Sequence, residues 1–313
     1  KTTVPSPSSD TPSPGVKTQG MEGELKEYQS RSKFGWIKKH EPENYEKTYK
    51  FLTISSYIFH ALTGEFKDCS SMIVGLFPID VSKFEWHANK AVYEIFGVER
   101  GKLPDLVGPT EIAGRVSKEG LEGFGVPEGL PVIIGAGDKQ SELLGAGGVV
   151  SDIGEISYGT AAVIEMLSRE YVTHPKMDFF TWGAAIPQNW TLEGFVGRGY
   201  WMVSWFKQEF AQHIEGEAEK LGIKPEDLLN REMQKVPAGS MGLVLQPYWS
   251  PLTHDPFSKG AIIGFSGQHS RAHVYKAIIE GIAYELRRLK EEIEQYSGQA
   301  IRELRVGGGG SQS

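Results

Sequence analysis

Gly135-Ala136-Gly137-Asp138-Lys139-Gln140 follows directly on the apolar run Pro131-Val132-Ile133-Ile134, and the interpretation of the whole chain starts from this stretch. The run predicts a buried strand, and the glycines after it allow the backbone to turn tightly. In an open α/β sheet, ligands bind beyond the carboxyl ends of the strands. We therefore expect Asp138 to present its carboxylate to a ligand. The alternative is that Asp138 only caps the N-terminus of a helix.

Two other predicted strands also run into glycine. Residues 156–160, Ile-Ser-Tyr-Gly-Thr, lie in a predicted β-hairpin over 153–166, and residues 307–311, Gly-Gly-Gly-Gly-Ser, follow a predicted strand over 301–306. Gly159 and Thr160 either direct a backbone N–H and a hydroxyl at phosphate oxygens or form an ordinary turn. The glycine run lacks the Lys-Ser/Thr of a P-loop, and a flexible linker is its alternative interpretation.

One carboxylate and two strand-to-glycine turns are the groups needed to bring a hydroxyl and a nucleotide phosphate together. As a general base, Asp138 would accept the proton of a substrate hydroxyl while that hydroxyl attacks phosphorus.

Composition excludes several classes of function. The chain has 313 residues, of which 39% are hydrophobic and 23% charged, with a net charge of −7, so a basic surface for nucleic acid or anionic membrane is not expected. The single cysteine, Cys69, cannot form an intramolecular disulfide, which favours a reducing, cytoplasmic setting. No apolar run reaches the ~18 residues of a membrane span. The eight histidines show no metal-binding spacing, so we expect no metal-ligating residues.

The chain pattern predicts the main elements. Residues 1–24, rich in Pro, Ser, Thr and Gly, are expected to be disordered or linker-like. Helices are expected over 32–39, 41–62 with a break at 53–56, 87–96, 201–211 and 272–296, with glycines 64, 97 and 298 as C-terminal stops. Residues 107–126 are expected to be turn-rich, and Gly145–Gly148 a hinge. The expected apolar stripe of the last helix consists of Ala277, Ile278, Gly281, Ile282, Leu286, Leu289, Ile293 and Tyr296. Six aromatic residues are expected to be core, with a sugar or adenine pocket as the alternative: Trp182, Trp190, Trp201, Trp205, Tyr248 and Trp249.

Three separate regions resemble the FGGY family of carbohydrate kinases. Residues 28–40, Tyr-Gln-Ser-Arg-Ser-Lys-Phe-Gly-Trp-Ile-Lys-Lys-His, fit its first signature, and residues 135–140 resemble its catalytic Gly-Asp-Gln-Gln segment. Residues 260–265 and 273–280 fit its second signature, except that Phe265 stands where a smaller aliphatic residue is usual. The resemblance runs from about residue 25 to the end of the chain.

The resemblance implies an α/β fold of the actin/hexokinase-like (ribonuclease H-like) ATPase type, with two domains around an active-site cleft. Residues 25–144 would be part of the N-terminal domain, and residues 145–313 part of the C-terminal domain. The implied activity is transfer of the γ-phosphate of ATP to a sugar or polyol hydroxyl, with Mg²⁺. Residues 246–251 look closer to xylulose-kinase-like members than to glycerol kinases. The identity of the sugar is left open, and so is whether the protein forms a homodimer.

The resemblance also assigns site residues. Asp138 falls on the catalytic base. ATP-binding positions are Gly159, Thr160, Gly267, Gly308, Gly309, Gly310 and Ser311. Polyol-contacting positions are Tyr28, Lys139 and Gln140, with Lys139 replacing the more usual Gln.

The sequence lacks two features that the resemblance leads us to expect. Family members begin with a strand carrying an Asp-x-Gly-Thr phosphate loop, and this chain shows no such loop and stops just after the glycine run. We therefore expect it to correspond to the middle of a kinase, truncated at both ends, and its activity in that form is left open. The alternative function is a degenerate, non-catalytic sugar- or nucleotide-binding protein.

Overall fold

The chain divides into two compact units in the computed structural model, which describes residues 32–73, 77–252, 255 and 257–312. The first unit comprises Lys1–Ser141 with Trp182–Trp190, and the second comprises Glu142–Thr181 with Thr191–Ser313. The segment 1–24 and the predicted substrate residue Tyr28 lie outside the described residues.

The first unit combines short helices with pairs of strands. Its helices are α1 (Lys33–His40), α2 (Pro42–Lys47), α3 (Ile54–Thr63), α4 (Lys90–Phe96), α5 (Lys118–Phe124) and the start of α6 (Asp138–Gly145). Its strands are β1 (Lys67–Cys69), β2 (Ile79–Asp80), β3 (Glu85–Trp86), β4 (Asp105–Val107), β5 (Ile112–Arg115) and β6 (Pro131–Ile133). Strand β1 pairs in parallel with β4, whereas the pairs β2–β3 and β5–β6 are antiparallel.

The predicted helix ends of the first unit are confirmed at two glycines. Gly64 and Gly97 end α3 and α4 in the left-handed conformation, which glycine adopts without steric cost. The predicted break in the second helix is displaced, because the Thr53 side chain accepts from the Ser56 N–H and starts α3 there, so the break covers 48–53. Of the two aromatic residues of α1, Phe34 is buried, whereas Trp36 is 52% exposed.

The prediction of a buried strand before Asp138 is wrong in its burial. Strand β6 forms only a two-stranded antiparallel sheet with β5, and Ile133 is 54% exposed. Ile134, the residue after the strand, is the buried one. The expected turn-rich region 107–126 contains both β5 and α5. An apolar run predicts that a strand exists, but its burial depends on which distant elements cover it.

The second unit is built on a five-stranded sheet with the strand order β13-β7-β8-β10-β9. The strands of this sheet are β7 (Ile153–Tyr158), β8 (Ala162–Ser168), β9 (Phe179–Gly183), β10 (Trp190–Val196) and β13 (Glu303–Gly307). The last two residues of β9 and the first residue of β10 belong to the segment Trp182–Trp190 of the first unit. Strands β7 and β8 form the predicted antiparallel hairpin, and β13 pairs in parallel with β7. A separate antiparallel pair consists of β11 (Val244–Gln246) and β12 (Ala261–Ile263).

Helices cover the core of the second unit. They are α7 (Trp201–Phe210), α8 (His213–Leu221), α9 (Pro225–Met233) and α10 (Arg271–Ser297). The predicted stripe of α10 is buried from Ala277 to Ile293. Tyr296 at its end is 38% exposed, although its ring still packs against the buried residues His174 and Phe179. Gly298 ends α10 in the left-handed conformation, as predicted. In the part of the chain that the structure describes, none of the helices has the length and apolar character needed to cross a bilayer.

The aromatic residues expected to be core are divided between the two units. Trp201, Trp205 and Trp249 pack against the hydrophobic core of the second unit, which supports the core interpretation for these three. Trp182 is buried and Trp190 half-buried, and both belong to the first unit.

Candidate functional site

Two parallel strands of the second unit end side by side at one edge of its sheet. In the β13–β7 register, Gly307 lies opposite Ser157. Beyond that row, β7 continues into Tyr158, Gly159 and Thr160, while β13 continues into the run from Gly308 to Ser311. The pairing therefore brings the two predicted glycine turns together. Their spacing in sequence is about 150 residues, so only the sheet makes them neighbours.

The glycine run is an ordered turn in close contact with β7, which contradicts the interpretation as a linker. Gly308 has φ +82°, and a Cβ added to it would lie 2.5 Å from the carbonyl oxygen of Tyr158. A Cβ on Gly310 would lie 2.6 Å from the ring of Tyr200, whereas one on Gly309 would meet nothing within 4 Å. The Ser311 N–H and hydroxyl both point to the Gly308 carbonyl, at 3.2 and 2.7 Å. Gly308 and Gly310 therefore have to be glycine for the loop to lie this close.

The hairpin turn uses one of its two predicted phosphate-binding groups internally. The Gly159 N–H donates to the Ala161 carbonyl at 2.9 Å. Thr160 is exposed, and its carbonyl accepts from the Trp201 N–H at 3.3 Å, which ties the turn to the start of α7. The Thr160 hydroxyl is thus the group of this turn that remains a candidate for contact with a phosphate oxygen.

Sequence reasoning missed three residues around these turns, namely Tyr158, Gly199 and Tyr200. The rings of Tyr158 and Tyr200 lie 4.7 Å apart, and a Cβ on Gly199 would collide with the Ala162 backbone. Burial raises the pKa of Tyr158, and burial together with Tyr158 raises that of Tyr200, so both phenols stay uncharged and able to donate at neutral pH. The segment Gly197-Arg198-Gly199-Tyr200 just before a helix is the signal that could have indicated them.

Asp138 lies at the beginning of α6 in the first unit and is exposed. The Gly137 carbonyl accepts the first helical bond, from the Ser141 N–H at 3.0 Å, so Gly137 rather than Asp138 occupies the capping position. The Lys139 N–H lies 3.1 Å from the Asp138 Oδ1. A carboxylate in the first turn of a helix is favoured by the positive end of the helix dipole.

Lys139 and Gln140 differ in accessibility. Lys139 is half-buried, whereas Gln140 is only 3% exposed because its side chain folds over the α-carbon of Gly137, where any Cβ would collide with its Oε1. Gly267 lies in an exposed turn between β12 and α10, and a Cβ there would meet nothing within 4 Å. In the described part of the chain, nothing therefore requires glycine at position 267.

A possible metal-ligand group does not fit a metal. Among the described residues, His174, Asp178 and Glu292 bring ligand atoms within 4.8 Å of one another. The His174 Nδ1 accepts from the backbone N–H groups of Lys176 and Asp178, both at 3.2 Å, so its proton is on Nε2, 3.3 Å from Glu292. That nitrogen has no lone pair for a cation, and the Arg288 guanidinium lies 3.2 Å from Asp178.

A surface pocket of the second unit is lined by part of the same charge network. Its volume, including the open mouth, is about 440 Å³, and Asp178, Tyr248, Glu285 and Arg288 are among its walls. The Arg288 guanidinium pairs with Glu285 at 2.8 Å as well as with Asp178, and these carboxylates raise its pKa against the opposing effect of burial. The charges in this pocket are therefore largely satisfied by one another.

Comparison with known proteins identifies the family. The model of the N-terminal domain of the FGGY family of carbohydrate kinases matches residues 18–145, and the model of the C-terminal domain matches residues 154–313. The chain therefore belongs to the FGGY family of carbohydrate kinases, as the signatures predicted.

The individual relatives are named for different substrates. The uncharacterized sugar kinase YgcE of Escherichia coli K12 is 30% identical over 83% of this chain and 53% of its own length. A gluconokinase of Bacillus subtilis is 29% identical over 82% of this chain and 50% of its own length. The solved structure of ligand-bound xylulose kinase from Lactobacillus acidophilus superposes with a TM-score of 0.77 at 22% identity, covering 93% of this chain and 59% of that one. The fold is thus the actin/hexokinase-like fold of these kinases, and the chain spans about half the length of the relatives it matches.

Proposed function

We propose that the protein carrying this sequence transfers the γ-phosphate of ATP to a hydroxyl of a sugar or polyol. The observation that carries this proposal is the parallel pairing of β13 with β7, which places two glycine turns at one sheet edge. Family membership supports it, since the chain belongs to a family of carbohydrate kinases.

The nucleotide is proposed to bind at this edge. Gly308 and Gly310 let the loop lie directly against Tyr158 and Tyr200, while Gly309 faces open space, where a ligand can approach the backbone closely. The Gly308–Ser311 turn would receive the adenosine, with the Tyr158–Tyr200 pair behind it, and the Thr160 hydroxyl would donate to a phosphate oxygen. Gly267 is assigned to the adenosine side by the resemblance alone, since its turn shows no close approach.

Asp138 is proposed as the general base. Its carboxylate is exposed at the start of α6, where it can accept a proton from the attacking hydroxyl. Lys139 and Gln140 would contact the acceptor together with Tyr28. The cation at Lys139 favours an acceptor with a carboxylate or many hydroxyls, and the gluconokinase among the relatives is compatible with a sugar acid.

Mg²⁺ is proposed to enter with the nucleotide. Mg²⁺ in such sites is held by substrate phosphates and one or two carboxylates rather than by an all-protein cage. The ion would neutralise charge on the phosphates; the resemblance assigns none of this chain's residues to it, and Asp138 is kept as the base. A cytoplasmic setting, a homodimer and the division of the two family domains at residue 144 stay predictions of the sequence.

The test compares Asp138→Asn with Asp152→Asn, which alters an exposed aspartate of a turn in the second unit. Both variants are made in the complete reading frame that contains this sequence, and ADP release is measured with xylulose, gluconate and glycerol. We expect Asp138→Asn to lower kcat by about 10²–10⁴-fold and Asp152→Asn to leave it unchanged.

Two outcomes would contradict the proposal. Full turnover in Asp138→Asn would show that another group is the base. ADP or sugar binding by calorimetry, without phosphate transfer to any acceptor tested, would favour the degenerate, non-catalytic binding protein.

A further inference from the structure

We propose that the segment 182–190 positions Asp138 through Ser71, so that Gly183 and Trp190 are positioning residues for phosphate transfer. The inference rests on the proposed role of Asp138 as the base. All residues of the argument belong to the first unit.

Ser71 holds the residue that precedes Asp138. The Gly137 N–H donates to the Ser71 carbonyl at 3.1 Å, while the Gly137 carbonyl accepts the first hydrogen bond of α6 from Ser141. Gly137 is therefore fixed on both sides of its peptide unit, by Ser71 and by the helix. A shift of the Ser71 carbonyl would move the first turn of α6 and the carboxylate that it carries.

Gly183 presses on Ser71 from the other side. A Cβ added to Gly183 would lie 2.9 Å from the Ser71 Oγ, 3.2 Å from the Ser71 Cα and 3.3 Å from the ring of Phe84. The Ser71 Cα is backbone and cannot turn aside as a side chain can. A side chain at position 183 therefore displaces the backbone of Ser71, which carries the carbonyl that Gly137 uses.

Trp190 anchors the segment that contains Gly183. Its indole N–H donates to the Val81 carbonyl at 3.0 Å, and its ring stacks on Phe84 at a centroid distance of 5.1 Å. Val81 is only 2% exposed, so its carbonyl depends on a protein partner. The turn between β2 and β3 and the segment 182–190 are thus tied together at two points.

Two local features along this path are unfavourable for stability. Phe84 has φ +59°, which is strained for an aromatic residue. The Ser71 hydroxyl is buried without a hydrogen-bond partner among the residues that the structure describes. Burying an unsatisfied hydroxyl costs free energy, and an alanine at this position would avoid that cost. Strain and unsatisfied groups concentrate where function over-determines the geometry. Their location between Trp190 and Asp138 agrees with a positioning role.

The first experiment is Gly183→Ala, measured by amide hydrogen exchange over residues 136–141 of this chain. We expect exchange of the Gly137 amide to become roughly tenfold faster. In the complete reading frame, we expect kcat to fall by about 10–100-fold with the KM for ATP unchanged, because the base is misplaced while the nucleotide turns are intact.

The matched control is Gly194→Ala. Gly194 is also a glycine in a buried strand, and its added Cβ would lie 3.0 Å from Leu289 and 3.4 Å from Ile164. We expect this variant to lower the melting temperature while leaving both Gly137 exchange and kcat per folded molecule unchanged.

Rescue and a milder variant separate positioning from simple unfolding. Ser71→Ala removes the nearest clash, so the double variant Gly183→Ala/Ser71→Ala should recover part of the lost exchange protection and kcat. Trp190→Phe keeps an aromatic ring against Phe84 but loses the hydrogen bond to the Val81 carbonyl. We expect faster Gly137 exchange and a lower kcat in this variant too, both by a smaller factor than in Gly183→Ala. It also serves as the test if Gly183→Ala does not fold.

The inference is overturned if the Gly137 amide of Gly183→Ala exchanges at the same rate as in the unaltered chain. Where Gly183→Ala does not fold, the same criterion applies to Trp190→Phe. The inference is also overturned if Gly194→Ala accelerates Gly137 exchange equally. Its failure is distinguishable from failure of the proposed function. If the complete reading frame transfers no phosphate, the kinase proposal fails, while hydrogen exchange still decides whether segment 182–190 holds the Asp138 turn.

Discussion

Gly308 and Gly309 are neighbours in the chain but meet opposite surroundings. Gly308 combines a left-handed backbone with close contact to Tyr158, whereas Gly309 faces open space. We expect Gly308→Ala to lower the free energy of unfolding by about 1–3 kcal/mol and to weaken ADP binding at least tenfold, because the turn must move. Denaturant titration and calorimetry measure the two effects.

The control for this prediction is Gly309→Ala, which should change stability by less than about 0.5 kcal/mol. Equal losses in the two variants would mean that the strain at Gly308 does not control the turn.

The ion pair between Glu232 and Arg271 predicts a pH dependence of stability. The Arg271 Nε lies 3.0 Å from the Glu232 Oε2, and hydrogen bonding to this guanidinium lowers the pKa of Glu232 from its ordinary value of 4.5. A lowered pKa means that the pair stabilises the fold fully above 4.5, and that this stability is lost as the pH falls through the folded-state value. We expect Glu232→Gln to cost about 1 kcal/mol at pH 7 and less in acid.

Denaturant titrations from pH 7 to pH 3 check this expectation. Glu219→Gln, at an exposed position on the neighbouring helix α8, serves as the control and should reproduce the unaltered curve. A loss in Glu232→Gln that is constant with pH would contradict the assignment.

At the scale of elements, the side chain of Lys102 caps the C-terminal end of the short helix α2. The Lys102 Nζ donates to the carbonyls of Tyr45, at 3.1 Å, and Thr48, at 2.7 Å, and also lies 5.0 Å over the Tyr45 ring. A helix of six residues has more free terminal carbonyls than internal bonds, so this cation satisfies groups that the helix cannot. We expect Lys102→Met, which keeps the aliphatic stem, to lower stability by about 2 kcal/mol.

Lys118→Met is the comparison for this helix. Lys118 is exposed at the start of α5 and lies 3.7 Å from Glu122, an arrangement that contributes little to stability. Thermal denaturation should separate the two variants clearly. If both lose the same stability, the carbonyl contacts of Lys102 are not what holds α2.

Elements with a strong local pattern were predictable from the sequence. The stripe and C-terminal glycine of α10 place that helix within one residue at each end. The start of α4 was missed by three residues, because the Asn89 side chain accepts from the Ala91 N–H and caps a later start. Strands β9, β10 and β12 were missed altogether. The residues of β9 are all buried and those of β10 do not alternate regularly, so neither strand shows the period-two pattern that identifies a half-buried strand.

At the scale of the whole molecule, the proposed nucleotide contacts lie in one of the two units. Binding to the folded state alone stabilises it by about 2.7 kcal/mol at a ligand concentration of 100 Kd. We expect MgADP to slow amide exchange in peptides covering 158–162 and 307–311, both in the second unit. Exchange over α8, in the same unit, is the internal reference and should change little. Protection absent from 307–311 would contradict the placement of the nucleotide.

The sequence by itself determined the family, the main helices, the hairpin over 153–166 and the strand-to-glycine turns, because glycine stops, helical periodicity and short motifs act within a few residues. Only the tertiary structure decided what those turns face. The exposure of β6 follows from which elements leave it uncovered. The contact of Gly308 with Tyr158 and the path from Trp190 through Ser71 to Gly137 join residues far apart in the chain. Such contacts depend on which strands pair and in which register, and residues this far apart become neighbours only when the chain folds.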